Sequence, residues 1–114
     1  KYLKSEGLSF DSWTCQGAAE RGNLEVLKYL NNEGVPLDYM TSGVAAQGGH
    51  IHILKYLKSE GLSFDSWTCQ GAAERGNLEV LKYLNNEGVP LDYMTSGVAA
   101  QGGHIHILKY LKSE

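Results

Sequence analysis

The sequence has few cysteines and prolines and no long apolar run. Its 114 residues include two cysteines, two prolines and two phenylalanines. A membrane-spanning helix needs about 20 consecutive, predominantly apolar residues, and no segment of this chain has that composition over that length. The opening residues 1–6, KYLKSE, are not typical of a secretion signal either. We therefore expect no contact with a membrane and, for a natural protein, a cytoplasmic location.

An excess of positive charge is also absent. The formal net charge is −3 at pH 7, whereas nucleic-acid binding usually depends on a basic stripe that contacts the phosphates. We therefore expect no nucleic-acid partner. With 42% apolar and 20% charged residues, the composition is that of a globular protein. The length predicts one domain over residues 1–114.

What the chain does contain is a perfect internal repeat. Residues 1–54 recur letter for letter as residues 55–108, and residues 109–114 begin a third copy. No requirement of packing or catalysis preserves solvent-facing positions in this way. Three origins fit: a recent duplication, a designed or idealised array, or a segment of a longer regular assembly. The repeat therefore indicates the architecture much more than it indicates a ligand.

Each 54-residue copy consists of two related halves. Residues 11–37 and 38–64 are identical at eleven of 27 positions. In the first half these positions are Asp11, Thr14, Ala18, Ala19, Gly22, Leu27, Lys28, Tyr29, Leu30, Glu33 and Gly34. The structural unit is therefore 27 residues long. The chain divides into repeats 11–37, 38–64, 65–91 and 92–114, preceded by a partial helix and loop at 1–10.

Each unit contains the start and stop signals of two short helices. Asp11 is predicted to cap a first helix over residues 12–21. Asn23 is predicted to cap a second helix over residues 24–33. A glycine follows each helix and ends it, and Pro36 in the next connection prevents further helix.

The apolar pattern indicates how these helices pack. Leu24, Leu27 and Leu30 recur with a helical period in the second helix, whereas the first helix carries small residues such as Cys15 and Gly17 that allow close approach. Helices this short are unstable alone. Neighbouring units must cover the two faces of each unit. The sequence thus predicts an all-α solenoid of stacked helix-turn-helix repeats.

A known family shares this pattern. Residues 18–30, AAERGNLEVLKYL, followed by Glu33-Gly34, resemble the helical core of an ankyrin repeat. Residues 45–54, AAQGGHIHIL, resemble it too, with His50 where that family favours histidine. The likeness recurs in all four repeats. It implies an ankyrin-like solenoid in which His50 is a structural residue at a helix start that hydrogen-bonds a neighbouring loop.

The repeat also departs from the family pattern. The usual ankyrin repeat has 33 residues and opens with Thr-Pro-Leu-His. At the corresponding place this chain has residues 13–16, WTCQ, or residues 40–43, MTSG. The link from Gly34 to Ala45 is too short for the β-hairpin finger of the family. We therefore expect finger-less repeats with tight loops and little or no strand.

No motif in the chain predicts catalysis or a bound group. His50 and His52, repeated as His104 and His106, have the only metal-like spacing, but side chains two residues apart on a helix point in different directions. The Gly48-Gly49 pair lacks the lysine and hydroxyl of a phosphate-binding loop, and a helix-to-helix turn explains it better. We therefore expect no metal, no cofactor and no enzymatic activity.

The two cysteines occupy the same position in the two copies. Cys15 and Cys69 are expected to lie too far apart for a disulfide. Neither has a neighbouring base in its motif that would make it reactive. They are interpreted as reduced thiols in small packed sites.

Trp13 and Met40 occupy equivalent positions, so that aromatic and thioether side chains alternate along one side of the solenoid. We interpret them as core residues that pack between layers. The alternative interpretation is a stripe that binds a ligand.

A separate set of polar and aromatic residues is predicted to be exposed along the first helices. The set comprises Ser12, Glu20, Arg21, Tyr39 and Gln47 with their copies Ser66, Glu74, Arg75, Tyr93 and Gln101. The ankyrin resemblance implies that this side is concave and receives partners. Tyrosine and arginine are the residue types that anchor protein interfaces. This set is therefore the candidate site for a protein partner.

The ends of the repeat array suggest a second kind of partner. Natural solenoids finish with repeats whose outer face is polar, but the last helix of this chain keeps Ile105, Ile107, Leu108 and Leu111 of the interior pattern. Copies of the chain are therefore expected to associate head to tail, which does not close and can grow into a filament. The sequence favours a non-catalytic building block that self-associates end to end. The alternative is a module that binds another protein along the first helices.

Overall fold

All regular structure in residues 11–113 is α-helical. These are the residues that the computed structural model describes; the predicted partial helix and loop at 1–10 and the last residue lie outside them. The helices are α1 (Ser12–Glu20), α2 (Leu24–Asn32), α3 (Tyr39–Gln47), α4 (Ile51–Ser59), α5 (Ser66–Glu74), α6 (Leu78–Asn86), α7 (Tyr93–Gln101) and α8 (Ile105–Ser113). No strand occurs between residues 11 and 113. The predicted all-α repeat fold without β-hairpins is confirmed.

Each 27-residue unit forms one pair of helices. The predicted bounds of the first and second helix hold to within one residue, since α1 ends at Glu20 and α2 at Asn32. The pairs are α1–α2, α3–α4, α5–α6 and α7–α8. None of the described helices combines the length and the apolarity that crossing a membrane requires.

The first helix of each pair begins at a capping aspartate, as predicted. The carboxylate of Asp11 accepts the backbone N–H of Thr14 at 3.3 Å, and that of Asp38 accepts Thr41 at 3.1 Å. Asp65 and Asp92 do the same in the later pairs. Such caps satisfy donors that a helix start leaves unpaired.

The prediction that Asn23 caps the second helix is wrong. Asn23 and Asn77 stand at the N-cap position, but neither side chain bonds the helix that follows. The Asn77 amide instead donates to the carbonyl oxygens of Ala46 and Gln47 in the preceding pair, at 3.0 and 2.7 Å. The side chain therefore links two units instead of closing one helix.

Glycines end the helices as expected. Gly22 and Gly34 adopt positive φ angles of 73° and 89°, a conformation that costs glycine little. The N–H of Val35 then bonds the carbonyl of Leu30 at 3.1 Å. Gly49, in the turn between α3 and α4, has φ 76°, so the Gly48-Gly49 pair forms the expected helix-to-helix turn.

The pairs stack in chain order into a rod. Helices α1, α3, α5 and α7 pack side by side, and each second helix packs on its own first helix. The described chain measures 52 × 24 × 18 Å. Small side chains such as Ala19, Ala46 and Ala73 are fully buried and allow the first helices to approach closely.

The core lies between the row of first helices and the row of second helices. Its large members are Leu27, Leu30, Ile53, Leu54, Leu57, Val80, Leu81, Leu84 and Ile107. Cys15 and Cys69 are both buried and free, which confirms the prediction of packed, reduced thiols. The interior second helices α4 and α6 bury their apolar stripes, so the surface of interest is provided mainly by the first helices.

Candidate functional site

Exposed large apolar side chains concentrate on the first helices. Seven such residues occur in the described part of the chain: Trp13, Val26, Tyr39, Trp67, Tyr93, Met94 and Ile105. Five of them stand at the first or second position of α1, α3, α5 or α7. Val26 and Ile105 belong to the second helices of the two outermost pairs. The exposed apolar surface thus has two parts, one along the first helices and one at the ends of the stack.

The prediction that Trp13 packs in the core is wrong, because its side chain is 77% exposed. Residues three, four and seven positions apart share a helix face, so Trp13 lies on the same face as Gln16 and Glu20. The buried face instead carries Cys15 and Ala19. The equivalent Met94 is exposed as well. Trp13 and Met94 are therefore surface residues, whereas Met40 is half-buried. The alternative interpretation, a stripe that binds a ligand, stays a prediction.

Trp67, the copy of Trp13 in the third pair, is only 37% exposed. Its ring contacts Tyr39 edge to face, with centroids 5.6 Å apart and an interplanar angle of 73°. It also lies against Gly43, where an added Cβ would overlap the six-membered ring. A tryptophan in the interior is thus partly covered by the preceding pair, and Trp13 has no such pair within the described residues.

The tyrosines of the predicted exposed set are confirmed as surface residues. Tyr39 is 60% and Tyr93 82% exposed. Glu20, Arg21, Glu74, Arg75 and Gln101 are exposed as well. The structure does not describe the side chain of Ser12.

Two predicted residues make contacts between pairs. Gln47 is half-buried, and its amide donates to the Glu74 carboxylate at 3.3 Å. Ser66 is half-buried and hydrogen-bonds Asp92 of the following pair. Desolvation raises the pKa of the Asp92 carboxyl, but hydrogen bonds from Ser66, Thr95 and the backbone of Met94 together leave it lowered.

These positions form one surface, which we name the first-helix ribbon. It consists of an apolar row, Trp13, Tyr39, Met40, Trp67, Tyr93 and Met94, and a polar edge, Glu20, Gln47, Glu74 and Gln101. The sequence pattern predicts the exposed tyrosines and the polar edge correctly, but the core location that it suggests for Trp13 is wrong. Trp13 stands seven residues before Glu20 and therefore on the same helix face as this polar residue. That spacing is the sequence signal that indicates an exposed Trp13.

A shallow cavity opens on this ribbon between α1 and α3. It has a volume of about 380 Å³ and is lined by Trp13, Gln16, Gly17, Glu20, Met40 and Val44. The lining combines an indole, a thioether and a branched apolar side chain with one carboxylate. Such a site can accept an apolar side chain of a partner.

The histidines of the repeat have a structural role. The Nε2 atom of His50 lies 3.0 Å from the carbonyl oxygen of Glu20, and that of His52 lies 3.3 Å from the carbonyl oxygen of Gly22. His104 and His106 repeat these contacts with Glu74 and Gly76. The predicted hydrogen bond of His50 to its neighbour is confirmed, although it reaches the end of a helix instead of a loop.

Two glycines make room for the His50 ring. An added Cβ at Gly48 would lie 2.6 Å from the imidazole, and one at Gly22 would lie 2.8 Å from it. In the other half of the repeat, Asn23 stands at the position of His50 and Arg21 at the position of Gly48. Glycine thus occurs at this position only in the half that carries the histidine. No cluster of three histidine, cysteine or acidic side chains suited to a metal ion occurs among residues 11–113.

The cysteines are protected from ionisation. Burial, followed by the charges of Asp92 and Asp65, raises the pKa of the Cys69 thiol to about 12. Burial likewise raises the pKa of Cys15. Since the thiolate is the reactive form, neither thiol is suited to nucleophilic chemistry.

The second helices carry a regular set of contacts on the opposite side. Lys28, Lys55 and Lys82 each lie 5.9 to 6.0 Å from the ring centroid of a tyrosine one unit further on, namely Tyr56, Tyr83 and Tyr110. Lys58 and Glu87 add an ion pair at 2.6 Å. These side chains join neighbouring pairs and hold the stack in register.

No protein-family model and no curated protein matches this chain. The function is therefore inferred from features of the described residues. These are the stacked helix pairs, the apolar row on one side and the unreactive buried thiols.

Proposed function

We propose that the chain is a non-catalytic, ankyrin-like scaffold that binds a partner protein along the first-helix ribbon. The observation that supports this proposal is the row of exposed aromatic and thioether side chains on α1, α3, α5 and α7. The second helices of the interior pairs bury their large apolar side chains. Within these pairs, exposed apolar surface is therefore a feature of the first helices and not of the whole protein surface. Contiguous apolar surface with a polar rim is typical of protein interaction sites.

The composition of the ribbon fits a protein partner. Tyrosine and tryptophan dominate the binding energy of many interfaces, because they provide large, rigid contact areas. The polar edge alternates Glu20 and Glu74 with Gln47 and Gln101, and these groups can accept or donate hydrogen bonds around an apolar centre. The resemblance to ankyrin repeats supports the same side, since partners bind there in that family.

A structural role is the second candidate function. The perfect repetition of residues 1–54 as residues 55–108 favours a building block that associates end to end. Contacts of that kind would use the ends of the stack and would leave the first-helix ribbon free.

The partner-binding function can be tested without knowing the natural partner. Peptides selected from a random library against the immobilised chain are titrated into labelled protein, and the indole N–H signals of Trp13 and Trp67 are followed by NMR. We expect these signals to shift. We also expect the double substitution Met40→Glu and Met94→Glu to abolish binding, because it places charge in the apolar row.

The matched control lies on the opposite side of the solenoid. The double substitution Asn32→Glu and Asn86→Glu introduces the same residue twice at exposed positions of the second helices and should leave peptide binding unchanged. Charge reversal at Arg21 and Arg75, at the ends of α1 and α5, should alter the affinity of charged peptides. If selected peptides bind the second helices and tolerate glutamate at Met40 and Met94, the proposed function is wrong.

A further inference from the structure

Charged side chains are distributed unequally between the two sides of the solenoid. Every lysine between residues 11 and 113 lies on a second helix, namely Lys28, Lys55, Lys58, Lys82, Lys109 and Lys112. The second helices and the C-cap residues that follow them also carry five glutamates, Glu25, Glu33, Glu60, Glu79 and Glu87. The positive and negative charges on this side of the molecule therefore nearly cancel.

The first helices carry the excess of negative charge. Each of them begins at an aspartate and two of them end at a glutamate, so that the carboxylates on this side are Asp11, Glu20, Asp38, Asp65, Glu74 and Asp92. The arginines beside them are Arg21 and Arg75. The side that bears the first-helix ribbon is therefore acidic, although the formal net charge of the whole chain is only −3.

An exposed aromatic pair lies on this acidic side, in the middle of the stack. Tyr39 of α3 contacts Trp67 of α5 edge to face, with ring centroids 5.6 Å apart. Both side chains remain exposed, although α3 packs between α1 and α5, and α5 packs between α3 and α7. Their exposure is therefore a property of the repeated interior and does not depend on where the chain ends.

The Asp65 carboxylate lies at the same end of α5 as Trp67. Its Oδ1 atom accepts the backbone N–H groups of Trp67 and Thr68, at 3.1 and 3.4 Å. Both bonds use one oxygen, so Oδ2 can accept a hydrogen bond from a partner. The Asp65 side chain is exposed and can therefore be reached from solvent.

The equivalent aspartate of the next pair is more strongly engaged. Asp92 is half-buried and accepts a hydrogen bond from Ser66 of the preceding pair. For Asp65, the preceding pair has Tyr39 at the position of that serine, and the Tyr39 ring contacts Trp67 instead. Asp65 is thus the capping aspartate that stands beside an aromatic pair with one oxygen available.

A second carboxylate lies at the other end of α5. The Oε1 atom of Glu74 accepts the Gln47 amide at 3.3 Å, and the Glu74 side chain is exposed. Trp67 and Glu74 are seven residues apart, so they share a helix face and lie about 10.5 Å apart along the helix axis. Carboxylates therefore flank the aromatic pair at both ends of α5.

This combination fits a cationic side chain. A guanidinium group stacks on the face of tryptophan or tyrosine and at the same time donates hydrogen bonds to a carboxylate. An acidic segment would be repelled by the carboxylates of the first helices. We propose that the partner segment that binds the first-helix ribbon is basic, and that it places an arginine between the exposed part of the Trp67 ring and the Asp65 carboxylate. This partner chemistry rests on the proposed function, since it requires binding at the ribbon.

Two capped peptides that differ only in charge provide the test. One alternates arginine with leucine over about ten residues, which span roughly 33 Å when extended and can cross four helices spaced about 8–10 Å apart. The other carries citrulline in place of each arginine, which keeps the shape and removes the charge. Each is titrated into the labelled chain, and the indole N–H signal of Trp67 is followed by NMR.

We expect the arginine peptide to bind roughly tenfold more tightly than the citrulline peptide at low salt, because only the arginine peptide pairs with the carboxylates. The difference should shrink at about 1 M salt, where exposed charges are screened within roughly 3 Å.

Two double variants locate the charge that is responsible. Asp65→Asn keeps a residue that caps helices well, and Glu74→Gln keeps an acceptor for the Gln47 amide. Together they should weaken binding of the arginine peptide roughly tenfold, to the affinity of the citrulline peptide. The control, Glu25→Gln with Glu79→Gln, removes the same charge from exposed positions of the second helices and should bind the arginine peptide like the unaltered chain.

Two results would refute a basic partner and leave binding at the ribbon intact. The citrulline peptide could bind at Trp67 as tightly as the arginine peptide, or the control variant could weaken binding as much as the variant of Asp65 and Glu74. If neither peptide shifts the Trp67 indole and the library peptides bind the second helices, the proposed function is wrong, and the basic partner with it.

Discussion

The Nε2 atom of His50 lies 3.0 Å from the carbonyl oxygen of Glu20, the last residue of the first helix in the preceding pair. The final carbonyls of a helix have no partner within that helix. The imidazole supplies a partner from the next unit. Each helix end is thus completed by its neighbour, which makes the units depend on one another.

In the other half of the repeat, asparagine bonds the unpaired carbonyls at the end of the preceding first helix. Asn77 occupies the position in its pair that His50 occupies in the pair before, and it donates to two carbonyls at the end of α3. Histidine and asparagine therefore alternate along the stack in one role. The 54-residue period follows from this alternation, because the two kinds of junction are chemically distinct.

Removing a junction histidine should weaken the stack. His50→Ala leaves the Glu20 carbonyl without its side-chain partner and should lower the free energy of unfolding by about 1 kcal/mol. Urea denaturation followed by circular dichroism measures the loss. Lys109→Ala, at an exposed position of helix α8, is a control for the loss of a long side chain. A His50→Ala variant that unfolds at the urea concentration of the unaltered chain would contradict the assigned role.

The same substitution at two copies of one glycine should have opposite effects. Gly43→Ala forces the Trp67 ring to move, and overpacking of this kind costs about 1–3 kcal/mol. Gly97→Ala meets open space and should stabilise helix α7 by about 0.5–1 kcal/mol through helix propensity. The urea midpoints of the two variants should therefore move in opposite directions from that of the unaltered chain. Shifts of the same sign would show that the covering ring at Gly43 is not decisive.

Much of the fold could be predicted because local signals are strong. Asp11 marks the start of the first helix and Gly22 marks its end. The leucine stripe of α2 identifies the buried face of α2. The role of Asn23 could not be read in the same way, since a capping residue and a residue that bonds the preceding unit look alike in sequence. The distinction depends on the neighbouring pair, which only the structure supplies.

The first-helix ribbon was predicted only in part. Helix α1 contains few large side chains, so its buried face is defined by Cys15 and two alanines and carries a weak hydrophobic signal. Trp13, the largest residue of that helix, was therefore assigned to the core. In the structure the equivalent Trp67 lies over Gly43 of the preceding pair and is 37% exposed, whereas Trp13 is 77% exposed.

Alkaline pH should destabilise the fold through Cys69. The thiol titrates at about 12 in the folded chain, against 9.0 for an unperturbed cysteine. Between these values the folded state retains a proton that the unfolded state has lost, so stability is unaffected below pH 9 and falls as the pH rises toward 12. The slope approaches about 1.4 kcal/mol per pH unit.

The Cys69→Ala variant separates the effect of the Cys69 thiol on the pH dependence of stability from the effect of the lysines. Urea midpoints between pH 8 and 11 should fall more steeply for the unaltered chain than for the variant. Cys15→Ala provides a matched comparison at the equivalent site, with a difference of the same sign. Parallel pH profiles for the unaltered chain and Cys69→Ala would show that the folded and unfolded thiols titrate alike.

The two tryptophans should report on their different surroundings. Trp67→Phe leaves Trp13 as the only indole, and Trp13→Phe leaves Trp67. At low protein concentration iodide should quench Trp13 more strongly, because its side chain is 77% exposed against 37% for Trp67. Equal quenching of the two single-tryptophan variants would show that the pair preceding Trp67 does not shield its ring.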